Sequence, residues 1–216
     1  MAEITAQVVN EFRKVTGLGL MKCKELLTQA GGDINKALTL AKEQGIKDAG
    51  KRSGRTTSAG RVEVYIHHDF KSGAMVEVNC ETDFVARNEE FKQFTKDLAV
   101  HIMAASPLCV RREELDPAAV AEQKRIFLTQ SADKPEQIRE KIADGKLQSW
   151  YSESVLLDQE WIKDSSDPNA GRKRRVSEVV TDLNARTGEN ITIARFARFV
   201  VGDSKNTLAE AAAAQG

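Results

Sequence analysis

Arg61-Val62-Glu63-Val64-Tyr65-Ile66-His67, followed after a short polar gap by Ala74-Met75-Val76-Glu77-Val78-Asn79-Cys80, is the stretch that decides the fold. In the first half Val62, Val64 and Ile66 alternate with Glu63, Tyr65 and His67, the period of a strand, and the apolar face is expected to be the buried one. In the second half Ala74, Val76, Val78 and Cys80 alternate with Met75, Glu77 and Asn79. A turn at Lys71-Ser72-Gly73 makes the pair a hairpin. Far downstream, Ile191 to Val201 reads as one more strand, which has to pair non-locally with the first two. Most of what lies between is helical in composition, so the class is α+β with an antiparallel sheet.

Outward from the hairpin, Glu81 to Arg87 reads as a loop. Asn88 is placed to cap a helix, with Glu89 and Glu90 in its first turn. Phe91, Phe94, Leu98, Ile102 and Ala105 form the core stripe of that helix, and Pro107 ends it. Residues Pro117 to Gln130 and Pro135 to Trp150 predict an antiparallel helical hairpin at about 117–150, with Val120, Phe127 and Leu128 facing Ile138, Ile142 and Trp150. Ser165 to Arg175 is polar and turn-rich. Val176, Val179, Val180 and Leu183 mark another helix, and the Ala211-Ala212-Ala213-Ala214 region is expected to continue a helix.

Upstream, residues 46–60 mix Lys47, Lys51, Arg52 and Arg55 with glycines and serines, the composition of a basic, flexible linker. Residues 1–45 predict three short helices. Thr5 caps the first, with Ile4 stapled onto Val9 and a stripe of Val8, Phe12 and Val15 ending at Gly17. Leu20, Cys23, Leu27 and Ala30 mark the second, closed by Gly31-Gly32. Asp33 caps the third, where Ile34, Ala37, Leu38 and Ala41 share a face before Gly45. A unit of this size is marginal alone and needs a partner or the rest of the chain to dock on. The expected organisation is therefore 1–45, a linker at 46–60 and an α+β core at 61–216.

The 216 residues carry 32 Lys plus Arg and 32 Asp plus Glu, a formal net charge of zero. Domains that live by neutralising a phosphate backbone are usually clearly basic. The opening Met1-Ala2-Glu3-Ile4-Thr5 does not have the basic-then-apolar pattern of a signal peptide, and no apolar run reaches the length of a membrane span. Cys23, Cys80 and Cys109 are odd in number and far apart, which points to reduced thiols in a cytoplasmic protein.

Motifs for chemistry are missing: there is no GxxxxGK[ST], GxGxxG, HExxH or GxSxG. His67 and His68 are adjacent on a strand and point to opposite faces, and His101 sits among core residues of a helix, so no shared base or metal site is expected. Arg172-Lys173-Arg174-Arg175 and the linker cations invite a nucleic-acid reading. No aromatic residue interleaves with them for stacking, and Asp164, Asp167 and Glu178 are near enough to offset the charge.

Two stretches carry a resemblance to a known family. They are Thr16-Gly17-Leu18-Gly19-Leu20-Met21-Lys22-Cys23-Lys24-Glu25-Leu26-Leu27 with Ala30-Gly31-Gly32-Asp33-Ile34, and Val78-Asn79-Cys80-Glu81-Thr82-Asp83-Phe84-Val85-Ala86-Arg87-Asn88. Both resemble the signatures of elongation factor Ts, and they occur in the family's order with a basic stretch between. His101 to Pro107 and Arg195 to Gly202 resemble further family segments, so the likeness covers essentially the whole chain. It is to a short form, with one core subdomain where many members have two related halves.

The resemblance implies a non-enzymatic guanine-nucleotide exchange factor without a cofactor, whose partner is elongation factor Tu in its GDP-bound and nucleotide-free forms. No direct contact with nucleic acid or membrane is implied. Thr82, Asp83, Phe84 and Val85 then match the segment that dislodges the partner's magnesium ion. Arg13, Leu20 and Met21, on a ubiquitin-associated-like three-helix module, match partner-binding positions, and Arg87 and Asn88 flank the intruding segment. With one subdomain present, a homodimer or a two-plus-two complex with the partner would replace the missing half. The competing expectation is a ribosome- or RNA-associated protein that uses its basic runs.

Overall fold

The computed structural model describes residues 4–166 and 172–203. The Ala211–Ala214 run and Asp167 lie outside the described residues.

Strands β1 (Ala59–Ile66), β2 (Ser72–Cys80) and β3 (Thr192–Val200) form one antiparallel sheet in the order β1-β2-β3. The non-local pairing expected of the last strand is present: Val76 stands opposite Phe196 and Ala74 opposite Arg198. A bulge at Glu77/Val78 shifts the register, so that Glu77 opposes Arg195 but Val78 opposes Ile193.

Ala74, Val76, Val78 and Cys80 are buried as expected. The face of β1 is the reverse of the expected one. Val62, Val64 and Ile66 are 58%, 51% and 57% exposed, while Arg61, Glu63 and Tyr65 are the more covered set. The cause is the turn, which lies at His67–Lys71 with Phe70 in the left-handed region at φ 59. A turn centred on Ser72 would oppose Val64 to Cys80; the observed one opposes it to Met75. Cross-strand partners share a face and an odd shift of register flips a whole strand, so the buried residues of β2 drag Tyr65 and Glu63 inward.

Nine α-helices are described: α1 (Ala6–Thr16), α2 (Leu20–Gln29), α3 (Ile34–Arg52), α4 (Asp83–Ala86), α5 (Glu89–Ala105), α6 (Pro117–Thr129), α7 (Glu136–Ser154), α8 (Ile162–Ser166) and α9 (Val176–Thr187). Helix α5 packs across the inner face of the sheet, and α9 contributes to the same core. Phe91, Leu98, Ile102, Val176, Leu183, Ile191 and Ile193 close that core together with Leu156 and Trp161. Inside it, His101 accepts the Ile162 N–H at Nδ1 (3.3 Å) and therefore donates from Nε2 to Gln159 Oε1 (3.0 Å). Burial pushes its pKa down and keeps the ring neutral.

Helices α6 and α7 form the expected hairpin, bonded across by Lys124–Asp144 and Lys146–Gln130. Its packing differs from the expected stripe, since Ile138 is exposed while Ala143 and Leu147 are buried.

The first three helices make a separate small core of Val9, Phe12, Cys23, Leu26, Leu27 and Ala37, with Ile4 and Val8 partly buried against it. Thr5 caps α1 and Gly17 ends it in the left-handed conformation at φ 69. The stripes are rotated from the expected ones: Val15 and Leu20 face solvent, and Val9 and Leu26 take their places.

Of the linker expected at 46–60, residues 46–52 are helix and 59–60 already belong to β1. α3 runs through Gly45 to Arg52 and packs along α9, where Arg52 donates to the Asn184 carbonyl (3.3 Å). Glycine disfavours a helix only by about 1 kcal/mol relative to alanine, a cost that tertiary packing overrides. The three-helix unit is thereby fixed to the core by its longest helix.

Gly17 and Gly45 make a testable pair. A Cβ on Gly45 meets only Thr181 Cγ2 at 4.0 Å, so Gly45→Ala should stabilise by up to ~1 kcal/mol. A Cβ on Gly17 collides with Arg186 Cδ and suffers the left-handed backbone, so Gly17→Ala should destabilise by ~1–2 kcal/mol. Urea unfolding midpoints of the two variants should move in opposite directions.

Candidate functional site

The segment after β2 is held at both ends. Cys80 is buried and its thiol donates to the Thr82 carbonyl (3.2 Å); burial pushes its pKa up to about 11, so it stays a thiol. Residues 81–87, expected to be a loop, contain the single turn of α4. Thr82 caps it, accepting the Val85 N–H at Oγ1 (3.4 Å), and Arg87 N–H closes it on the Asp83 carbonyl (3.1 Å). Asn88 then caps α5 as expected by accepting the Glu90 N–H (2.8 Å).

Val85 and Ala86 lie partly buried against the core, which turns Asp83 and Phe84 outward. Asp83 pairs with Arg87 across the turn (2.9 Å). Phe84 does not fold back into the core; it is 83% exposed. Leaving a phenylalanine in water forgoes roughly 2–3 kcal/mol of transfer free energy, which a partner that covers the ring can recover.

Glu189 also belongs to this site, and sequence reasoning missed it. It follows Gly188, the left-handed cap of α9. Its Oε2 accepts the N–H groups of Glu81 (3.0 Å) and Thr82 (3.1 Å), and its Oε1 accepts the Thr82 hydroxyl (2.5 Å). In return Glu81 accepts the Asn190 N–H (2.6 Å) and pairs with Arg55 (3.3 Å), and the Asn190 amide donates to the Arg55 carbonyl (3.2 Å). The Asn190 N–H, and then Arg55, hold the Glu81 carboxyl pKa down. A helix stop at Gly188 is legible from sequence, but the partner of the residue after it, 107 positions away, is not.

Arg13, Leu20 and Met21 are all exposed, Met21 to 78%. They flank Gly17, which lies against the stem of Arg186 from α9, and the Arg186 guanidinium pairs with Glu90 in the first turn of α5. One side chain thus bridges the α1–α2 corner to the helix that starts just after Asn88. The two groups of residues singled out by sequence are brought to neighbouring corners of the molecule.

The basic run is a different matter. Arg172 pairs with Glu178, Lys173 with Glu160 (3.3 Å) and Arg175 with Asp158 (3.9 Å). Arg174 grips Asp164 through Nε (2.8 Å) and Nη2 (2.9 Å) and reaches Asp182 (3.3 Å). Every cation of the run has a carboxylate, so the charge that a phosphate backbone would need is already neutralised within the chain. Among the described residues no helix is long and apolar enough to cross a membrane.

Comparison with known proteins bears on the same segment. The family model described as Elongation factor TS matches residues 49–168. Elongation factor Ts of Anaeromyxobacter sp. (strain K) is 47% identical over 223 residues, covering all of this chain and 99% of the relative. Elongation factor Ts of Geotalea uraniireducens (strain Rf4) is 46% identical and that of Geobacter sulfurreducens 43%, each over 220 residues and 99% of both chains.

The Arg174–Asp164 pair yields a prediction. Asp164 is buried, and its pKa is lowered chiefly by the Arg174 guanidinium. Its stabilising contribution is present above the ordinary aspartate pKa of about 3.9 and fades as pH falls toward the lower folded value. Asp164→Ala should cost roughly 2–3 kcal/mol in urea unfolding at neutral pH. The gap to the wild type should narrow in strongly acidic buffer.

Proposed function

The chain belongs to the elongation factor Ts family, which makes it a translation elongation factor, and from that premise we propose that it acts as a guanine-nucleotide exchange factor. In this reading it binds elongation factor Tu in the cytoplasm and releases GDP by dislodging the partner's magnesium ion. The observation that carries the reading is Phe84, exposed at the head of a capped turn whose flanks are fixed. Thr82, Asp83, Phe84 and Val85 form the intruding turn, with Arg87 and Asn88 as its trailing flank. Arg13, Leu20 and Met21 seat the three-helix unit, read as ubiquitin-associated-like, on the partner.

The physics needs no covalent step. A packed core answers an inserted ring by switching arrangement, because it is too dense to deform smoothly. Magnesium requires near-octahedral ligands at about 2.0–2.1 Å, so a small displacement of its ligands releases it. Without the ion the diphosphate loses charge neutralisation and GDP leaves. Linkage makes the effect reciprocal: nucleotide binding weakens the partner's grip on this chain by the same factor. The RNA-binding alternative loses its support with the internal pairing of Arg172 to Arg175.

The outer face of the sheet supports self-association as a second element of this reading. Val64, Met75 and Ala197 line up across the three strands, as do Ile66, Gly73 and Phe199, with Phe70 and Val201 exposed beside them. A continuous apolar face on a monomer marks an interaction surface. A second copy, laid face to face, supplies the missing half of a core that other family members build from two related halves.

Two measurements test these readings. Stopped-flow release of fluorescent GDP from elongation factor Tu should be strongly accelerated by the wild type, and Phe84→Ala should lose roughly tenfold or more of that acceleration. No acceleration by folded wild type would sink the exchange reading. Sedimentation velocity should show a dimer that Val64→Asp converts to a monomer; a wild type that stays monomeric at high concentration excludes self-association through the sheet.

A further inference from the structure

The α4 turn is too short to hold its own shape. A four-residue helix contains almost none of the hydrogen bonding that makes a helix self-sustaining, so its orientation is imposed from outside. The packing of Val85 and Ala86 is one anchor. The other is polar, and it converges on one carboxylate.

We infer that Glu189 is a positioning residue for the exchange segment, fixing the direction in which Phe84 is presented; the inference rests on the exchange reading above. Its two oxygens take three hydrogen bonds from two consecutive residues, the N–H of Glu81, the N–H of Thr82 and the Thr82 hydroxyl. The hydroxyl bond matters most for aim. Because the Thr82 proton is committed to Glu189, the oxygen lone pairs are turned to the Val85 N–H, and Thr82 becomes a cap of fixed rotamer. Glu189 thus acts through Thr82 on the turn that carries Phe84.

The anchor also sets a distance. Glu189 leaves the end of α9, the helix along which α3 is packed and whose Arg186 lies against Gly17. The wedge is therefore referenced to the same helix that holds Arg13, Leu20 and Met21 in place. A partner gripped by the three-helix unit meets Phe84 at a preset separation, and the ordering cost of aiming the ring is met before binding. The reciprocal bonds of Glu81 to Asn190 and Arg55 lock the same joint from the other side.

The test combines exchange kinetics with hydrogen exchange on the full chain. Glu189→Ala should lower the maximal rate of fluorescent GDP release from elongation factor Tu about tenfold, while half-saturation with the partner changes little, as for a group that aims a reacting element and does not bind. In a Phe84→Ala background the same substitution should add less than about twofold, because the two act as one unit. The Glu81 and Thr82 amides should exchange faster while the β2–β3 amides keep their protection. Glu189→Gln, of the same shape but with a donor at one end, should fall between wild type and Glu189→Ala. If Glu189→Ala loosens the whole sheet, Glu189→Gln is judged by the same kinetic criteria. Wild-type rates in these variants, or a loss that remains fully additive with Phe84→Ala, would overturn the inference and leave the exchange reading standing. A wild type that fails to accelerate GDP release overturns both.

Discussion

The pairing of β2 with β3 is the constraint on which the rest of the structure depends. The two strands lie more than a hundred residues apart in the chain, bridged on the outer face by Arg195 and Glu77 (2.7 Å, 118 positions apart). Bringing them together places α9 beside the hairpin and delivers Glu189 and Asn190 to Glu81 and Thr82, at the start of the α4 turn. It also supplies the surface on which α3 packs. β3 adds Ile193 to the core, and α9, which leads into it, is the helix along which α3 packs. Local interactions make the parts, and this one long-range closure sets their geometry.

The polar contacts of the fold follow a consistent pattern. His101 and Gln159 are buried polar groups satisfied in a network that joins separate elements. Gln159 donates to the carbonyls of Ala105 (3.1 Å) and Glu153 (2.6 Å) while its oxygen holds the imidazole. This ties the end of α5 to the returning arm of the helical hairpin. The salt bridges around Arg174 serve the same purpose at the start of α9. Low local dielectric makes such networks rigid when complete and costly when broken.

Features written in a few adjacent residues were legible in the sequence. Thr5 and Asn88 cap the helices they were expected to cap, Gly17 ends α1, and β2 buries the face its alternation marks. The motif around Thr82 to Val85 marked the segment that carries Phe84, which, like Phe70, is 83% exposed. What failed did so for definable reasons. Alternation in β1 reveals two faces but not which is covered, and a turn displaced by a few residues chose the apolar one for solvent. Gly45 and the basic residues after it read as a break because composition cannot show α9 waiting alongside. Glu189 was invisible because its meaning lies in a contact between two turns remote in sequence.

The late position of β3 in the chain has a consequence during synthesis. Domains tend to fold as they emerge, N-terminal parts first. The three-helix unit and the β1–β2 hairpin are both translated long before α9 and β3 exist to hold them. Until residue 200 or so has left the ribosome, the central strand is paired on one edge only and the Glu81–Thr82 joint has no clasp. A nascent chain that displays Phe84 is therefore still without the clasp that orients it, and that clasp forms only once α9 and Glu189 have been made.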